Sequence, residues 1–377
     1  MEIEDAKINL LAHSEAKVQL YGTYLSTYLN MLSRVPSVKH IYLFDLLCGE
    51  GIYDNNEKGS PLIAIDKIQN HFYTNNKTCP NMTIWFNDSE LSNIEPKYYK
   101  IERVKRFCHK FYLPKNVRIE YFKEDYDTVC SRAIDEVKNN PVSKNLFFVD
   151  PYGYKEIKLS SLDHILANHN SEVLLFLPIS FMYRFAEKAQ NSEFSGGKPL
   201  KDFLTALFGS EQKYKFRSAY DFIEKVKEKL REHFRSSDVF VDTFTIDRGH
   251  GNVYCLFFFT SHVRGYEKML EAKWKLDVDR GLGYSEDGNA PKLFSEIELR
   301  CYPEKLEKFI KSAPMRTNHE IYRFGLDQGF LPKHTNKILS EWKDDLSSFE
   351  VKSLDGKPIR GFYIAYNHDR RVGFRFK

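Results

Sequence analysis

The sequence predicts a doubly wound α/β domain built on a mostly parallel, Rossmann-like sheet that ends in an antiparallel hairpin, with a winged-helix-like domain after it. Three observations predict this. Short apolar runs alternate with helical patterns between His40 and Ile179, as in parallel strands joined by helices. The runs are apolar on both faces, as strands covered from both sides must be. Then "VFVDTFTI" and "NVYCLFFFTS" follow one another across a short Gly-containing turn, "DRGHG", which suits a hairpin and not a parallel crossover.

Taken in order, "HSEAKVQLYGTYLSTYLNMLSR" places Val18, Tyr21, Leu25, Tyr28, Leu29 and Leu32 at helical spacing, so a helix packs on the strands that come after it. "HIYLFDLL" is a first strand. "PLIAIDKIQNHF" is a helix, with Ser60 as its expected N-cap and Pro61 at its first position. "MTIWFND" and "VRIEYF" are further strands, "TVCSRAIDEVKN" is a helix, and "NLFFVD" and "EVLLFLPI" complete the parallel set. A helix over "AYDFIEKVKEKLREHF" precedes the hairpin. Beyond it, one helix from Asn318 ends near Gly325 to Gly329, and "LPKHTNKILSEWKDDL" is another. "FEVKS-LDGK-PIRGFYIAY" then reads as a two-stranded wing. Helix, turn, helix, hairpin is a winged-helix order. The expected boundaries are a helical segment over 1–38, the sheet domain over 39–285 and the winged-helix-like domain over 286–377.

Composition excludes several classes. Of 377 residues, 42% are hydrophobic and 15% aromatic, enough to fill buried cores. No apolar run approaches the ~18 residues of a membrane span, and "MEIEDAKINL" lacks the basic-then-apolar order of a signal peptide. The six cysteines are scattered without a Cys-x-x-Cys pair, so neither structural zinc nor a disulfide framework is expected. A reduced, cytoplasmic protein is the expectation.

The net charge of +4 is unevenly spread. Between Ala313 and Lys377 there are 12 Lys/Arg against 8 Asp/Glu. Lys333 and Lys337 fall on the second helix there, the one that enters DNA in many winged helices. A second basic zone, "KYYKIERVKRFCHKFYLPKNVR", holds 8 Lys/Arg against Glu102 alone. Lys100, Arg103, Lys105, Arg106 and Lys110, interleaved with Tyr98, Tyr99, Phe107, Phe111 and Tyr112, would track phosphates and stack on bases. An amphipathic helix with a solvated basic face fits the same residues equally well.

The chemistry-bearing pattern is a series of acids at strand ends. "FDLLCGEG" breaks at Asp45 into a turn with Cys48, Gly49 and Gly51. Glycines there let the backbone approach a ligand, and Asp45 would hold a ligand amino group. "FNDSE" puts Asp88 after the second strand, where a carboxylate grips ribose hydroxyls. "KEDYD" puts Asp125 and Tyr126 after the third, placed to border an adenine. "VDPYGY" puts Asp150, Pro151 and Tyr152 after the fourth. In open α/β sheets, ligands sit at the carboxyl ends of the strands. An exocyclic amine on a base is conjugated and poorly nucleophilic. Hydrogen bonds to the Asp150 carboxylate would help its nitrogen present a lone pair, and Tyr152 or Tyr154 would stack on a flipped base.

"VDPYGY" resembles the Asp-Pro-Pro-Tyr motif of amino-group methyltransferases, and more closely the Asp-Pro-Phe-Gly of tRNA guanine-N2 dimethyltransferases. "HSEAKVQLYGTYL", "YLFDLLCGEGIYDNNEKGSPLIAI", "FFVDPYGY", "LLFLPISFMYRF" and "RGYEKMLEAKWKLD" together resemble the three-Cys-motif partner protein family, TcmP, over roughly Ala12 to Asp277. The resemblance implies a class I methyltransferase-like core using S-adenosylmethionine, a three-Cys-motif partner protein, and a bacterial setting in DNA modification or phage defence. Leu47 and Cys48 stand where the family turn has Phe and Ala, and both glycines are kept. His13 and Lys17, one helical turn apart, are family-like residues placed to close over the cofactor carboxylate or meet phosphate. Arg184 is a further candidate for substrate phosphate.

The resulting expectation is a methyltransferase acting on an exocyclic amino group of a nucleic-acid base, with no metal required. The competing expectation is a catalytically silent nucleic-acid-binding or scaffold subunit. A defence nuclease would need clustered metal-binding carboxylates, and the sequence shows none at recognisable spacing.

Overall fold

The computed structural model describes residues 12–74, 80–151, 153, 155–189, 197–209, 215–247, 252–277, 283–285, 292–345, 347–356, 361–366 and 371–377. The readings at Tyr152 and Tyr154, and at the side chain of His13, lie outside the described residues. The chain divides into two units, one ending at His262 and including the strand at 283–285, the other containing Val263–Leu282 and the residues after 288.

The first unit carries α1 (Ala12–Leu32), β1 (His40–Asp45), α2 (Ser60–Gln69), β2 (Asn81–Asn87), α3 (Lys100–Cys108), β3 (Val117–Phe122), α4 (Tyr126–Asn139), β4 (Lys144–Val149), α5 (Leu159–Leu166), β5 (Ser171–Leu177), α6 (Ile179–Ala189), α7 (Lys198–Phe208), α8 (Ala219–His233), β6 (Phe240–Asp247) and β7 (Val253–Thr260). The second unit opens with α9 (Val263–Leu276), after which the chain returns to the first unit for β8 (Gly283–Ser285).

These strands form one eight-stranded sheet in the order β3-β2-β1-β4-β5-β7-β6-β8. β1 pairs in parallel with both β2 and β4, and β4 pairs in parallel with β5. Only β7 runs against its neighbours, antiparallel to β5 and to β6. The order reverses at β1, which lies between β2 and β4. That is the topological switch point, where the carboxyl ends of β1 and β4 open a crevice.

Side chains alternate between the two faces of the sheet. Tyr42, Phe44, Trp85, Phe147, Val173 and Leu175 face a core closed by α4, α5, α7 and α8, where Phe44 stacks on Phe147 at 4.4 Å. On the opposite face α1 lies against the sheet, and Tyr21 stacks on Phe148 at 4.4 Å. Tyr24, Leu25, Tyr28, Leu29 and Leu32 of α1 are all buried, each contributing about 1.5–3 kcal/mol. Gly22 lets α1 and α2 cross closely, because a Cβ there would come within 2.8 Å of Ile63 Cγ2.

The second unit adds α10 (Lys292–Lys311), β9 (Arg316–Thr317), α11 (Asn318–Asp327), α12 (Pro332–Asp345), β10 (Phe349–Ser353) and β11 (Val372–Phe376). β11 is the centre of a three-stranded antiparallel sheet, between β10 and β9. Thr317 and Glu320 form a reciprocal capping box at the start of α11.

Two local expectations are corrected. Gly59, not Ser60, is the N-cap of α2, so Ser60 is its first helical residue. The strand that pairs with β10 is Val372–Phe376 and not "GFYIAY". The described part of that stretch, 361–366, is not strand. The side chain of Asn336 on α12 binds the N–H and C=O of Ile364 at 2.7 and 3.0 Å, so a side-chain amide takes the hydrogen bonds a partner strand would have made.

Candidate cofactor and acceptor site

Asp45 is the last residue of β1, Asp88 follows β2 directly, and Asp150 follows β4 directly. The sheet therefore brings three of the sequence-predicted acids to one edge of the switch point, and each of the other two raises the proton affinity of Asp45.

Asp45 is 1% exposed, and neither carboxylate oxygen meets a well-placed hydrogen-bond donor. The Ser60 hydroxyl lies close enough to ease its charge without satisfying it. Burial in this setting pushes its pKa up to about 8, with Asp150 and Asp88 adding to the rise and Lys17 opposing it. A buried carboxylate without a partner is costly. A cationic group delivered by a ligand would remove that cost.

The turn above Asp45 is shaped by glycine. Gly49 and Gly51 adopt φ of +68° and +79°, which residues with a Cβ rarely take. The Gly49 N–H donates to Asp88 Oδ2 at 3.1 Å, and the Cys48 N–H to the Asn87 carbonyl at 2.9 Å. Cys48 is buried. The long loop from Gly51 to Gly59 doubles back on itself, Ile52 bridging Lys58 and the Gly59 N–H reaching the Gly51 carbonyl at 2.8 Å. Tyr53 comes down with it, and burial, with Asp150, Glu50 and Asp45 nearby, keeps its hydroxyl protonated.

Asp88 is 1% exposed and accepts from the N–H groups of Gly49 and Glu90. Burial raises its pKa, and the Lys100 ammonium works against the rise. Asn87 ties neighbouring strand ends together. Its side chain donates to the carbonyls of Leu46 and Glu124 and accepts from the Glu124 N–H.

Asp125 is exposed and serves as the N-cap of α4, its carboxylate accepting from the Thr128 N–H at 3.0 Å. Its bonds to the Thr128 hydroxyl and N–H hold its pKa below the usual carboxylate range. Tyr126 packs against the main core. Pro151 is buried beside Asp150. Lys17 projects from α1 to form an ion pair with Asp150, and its Nζ sits 4.4 Å from the ring centroid of Phe176. Arg184 donates back to the Ser180 carbonyl within α6.

The basic zone divides. Lys105, Arg106 and Lys110 are exposed on α3 and just beyond it. Lys100 and Arg103 are corrected. They are 1% and 3% exposed, Lys100 pairs with Glu90 at 2.6 Å, and Arg103 pairs with Glu50 at 2.5 Å and Glu95 at 2.9 Å. They face inward to meet acids of the loops that precede α3, of which Glu50 is itself buried. Glu50 also accepts from the Ser92 hydroxyl and the Asn93 N–H, so Arg103 staples the Gly49–Gly51 turn to the loop after Asp88. Sequence reasoning missed Glu50, Asn87, Tyr53 and Phe176. Only Asn87 and Glu50 left a trace, as the polar neighbours of Asp88 and the two glycines. Lys333 and Lys337 are exposed on α12.

Among the described residues, no group of three or more His, Cys, Asp or Glu is arranged to hold a metal ion. Nor is any helix among them long and apolar enough to cross a membrane.

No family model and no curated protein matches this chain. It is similar, at low scores, to several solved structures. One is Trm1 from Pyrococcus horikoshii with S-adenosyl-L-methionine, at 14% identity and TM-score 0.35, over 68% of this chain and 58% of that one. Another is the plantazolicin methyltransferase BpumL in complex with SAH, at 10% identity and TM-score 0.32, over 68% and 88%. A third is loganic acid methyltransferase with SAH, at 8% identity and TM-score 0.26, over 65% and 78%. The chain spans just under three fifths of the Trm1 structure it matches.

Proposed function

We propose that this chain is an S-adenosylmethionine-dependent methyltransferase of the class I type, acting on an amino group of a nucleic-acid base. The observation that carries the reading is Asp45: a buried carboxylate without a well-placed donor at the end of β1, beneath two glycines with positive φ. The donor set fits the cofactor. Asp45 would bind its ammonium, the Gly49–Gly51 backbone would lie along it, and Asp88 would take its ribose hydroxyls. Asp125 and Tyr126 at the end of β3 would border its adenine. S-adenosylmethionine supplies an electrophilic methyl group on a sulfonium when bound.

The acceptor side is built by this chain's own residues. Asp150 would accept a hydrogen bond from the acceptor N–H, and Pro151 with Tyr152 would shape the approach. The exposed Lys105, Arg106 and Lys110, with Tyr98 and Tyr112 at 44% and 74% exposure, suit a polynucleotide backbone and its bases. The two helices and the sheet of the second unit read as a winged helix, with Lys333 and Lys337 offered to phosphate. A three-Cys-motif partner protein and a role in DNA modification or phage defence are what the sequence resemblance implies.

A second reading is favoured by one observation. The Asp150 carboxylate is already engaged by Lys17, as it would be in a silent scaffold subunit. Calorimetric titration with S-adenosylmethionine and S-adenosylhomocysteine tests the cofactor, and labelled cofactor offered with DNA and RNA pools tests the acceptor. Saturable binding followed by label on nucleic acid supports the enzyme. Absence of binding in the intact chain favours the scaffold.

A further inference from the structure

The nitrogen held against Asp150 belongs to the protein itself. Lys17 is 8% exposed. Its helix is fixed on the sheet by Tyr21 stacking on Phe148 and by the burial of Leu20 and Tyr24. Its Nζ contacts the Asp150 carboxylate on one side and the face of Phe176 on another. Phe176 is in turn stacked on Tyr254 at 5.5 Å, with the rings 9° from parallel. The same ammonium is felt by Asp45, so it lies within electrostatic reach of both the cofactor-side and the acceptor-side acid.

We propose that Lys17 is a methyl acceptor of this site, so that the chain methylates its own Nζ. The proposal rests on the cofactor reading above and is independent of which external acceptor is used. Asp150 takes a proton from the ammonium, which frees the nitrogen lone pair. The N–C bond then forms as the S–CH3 bond of the sulfonium breaks, and that electron pair stays on sulfur. The products are S-adenosylhomocysteine, methylated Lys17 and one proton. A methylated ammonium keeps its charge and sheds hydration, so it suits the Phe176 face at least as well as the unmodified one.

The test uses the full chain, incubated with S-adenosylmethionine carrying a deuterated methyl group, then digested and weighed peptide by peptide. In parallel, S-adenosylhomocysteine binding is measured by calorimetry on the wild type, and the labelling is repeated on Lys17→Arg, which keeps a cation beside Asp150. The expected result is one labelled methyl or more on the Lys17 peptide, absent from Lys17→Arg and from Asp150→Asn, while the wild type binds S-adenosylhomocysteine saturably. Binding without label on Lys17 overturns self-methylation and leaves the cofactor reading standing. Absence of binding in the wild type overturns both.

Discussion

Arg103 and Glu50 form a buried ion pair 53 positions apart in sequence, with the guanidinium Nη1 2.5 Å from the Glu50 carboxylate and 3.2 Å from its carbonyl. The pair joins α3 to the turn that comes after β1. Removing Arg103 leaves the Glu50 carboxylate buried without its cation, which costs about 3–5 kcal/mol, whereas removing the Glu50 charge leaves Arg103 still paired with Glu95 at 2.9 Å. Arg103→Ala should lower the unfolding free energy measured in urea by an amount of that order, and Glu50→Gln by less. Arg103→Met with Glu50→Leu should recover more than half of the loss, since an apolar pair leaves no orphaned charge. If the double variant is as unstable as the singles, the pair acts through more than its charges.

Gly51 meets two constraints at once. Its φ is +79°, and a Cβ would sit 3.0 Å from Val104 Cγ2. Gly51→Ala should cost about 1–2 kcal/mol from the left-handed backbone alone and push the turn away from α3. S-adenosylhomocysteine affinity should fall roughly tenfold, the equivalent of about 1.4 kcal/mol. Gly153, where a Cβ meets nothing within 4 Å, is the control: Gly153→Ala should leave stability unchanged. Equal calorimetric affinities for wild type and Gly51→Ala would remove the turn from the cofactor site.

The acids at the strand ends were legible because strand ends are. An apolar run that stops at an Asp announces both the strand and its edge, and Asp45, Asp88 and Asp150 all sit where that rule put them. The inward turn of Lys100 and Arg103 was not legible. On a helix they look like any solvated basic face, and the acids that bury them, Glu50, Glu90 and Glu95, lie outside the helix. The same limit hid the true partner of β10. Apolar alternation favoured "GFYIAY", but Asn336 claims the backbone there, a tertiary event with no local signal. Lys17 stood out only through the family resemblance, since nothing in α1 itself foretells that its ammonium reaches residue 150.

Glu172, at the start of β5, is a buried acid remote from the proposed chemistry. It accepts from the Tyr24 hydroxyl at 2.5 Å and the Thr260 hydroxyl at 2.7 Å. Burial pushes its pKa up to about 7, while those two bonds and the Lys144 charge pull the other way. The folded state therefore holds a proton that the unfolded chain, with its ordinary carboxyl, releases. Stability from this group is complete below about pH 4.5 and is lost as pH rises through 7, a difference of about 3 kcal/mol. Glu172→Gln should match the wild type at pH 5 and exceed it at pH 8 in melting temperature. A variant that melts lower at pH 8 would show that the ionised carboxylate stabilises the fold.

Asp45 should show the opposed demands of folding and binding on one atom pair. Its pKa of about 8 means that the free protein holds it largely protonated at pH 7. The sign is that of Glu172: the stability it contributes is full below its ordinary value and disappears as pH climbs through 8. Asp45→Asn should therefore stabilise the free chain at pH 8.5, by an amount on the order of a few kcal/mol, and leave it unchanged near pH 4. The same substitution should abolish saturable binding of S-adenosylmethionine, because the amide offers the cofactor ammonium no charge. Binding to the wild type must drive the proton off Asp45. Titrations at pH 7 in phosphate and in Tris should then differ in enthalpy by close to the difference in buffer ionisation heats, for nearly one proton released. Buffer-independent enthalpies would mean that the carboxylate is not the group that meets the ammonium, and the β1 turn would lose its claim to the cofactor.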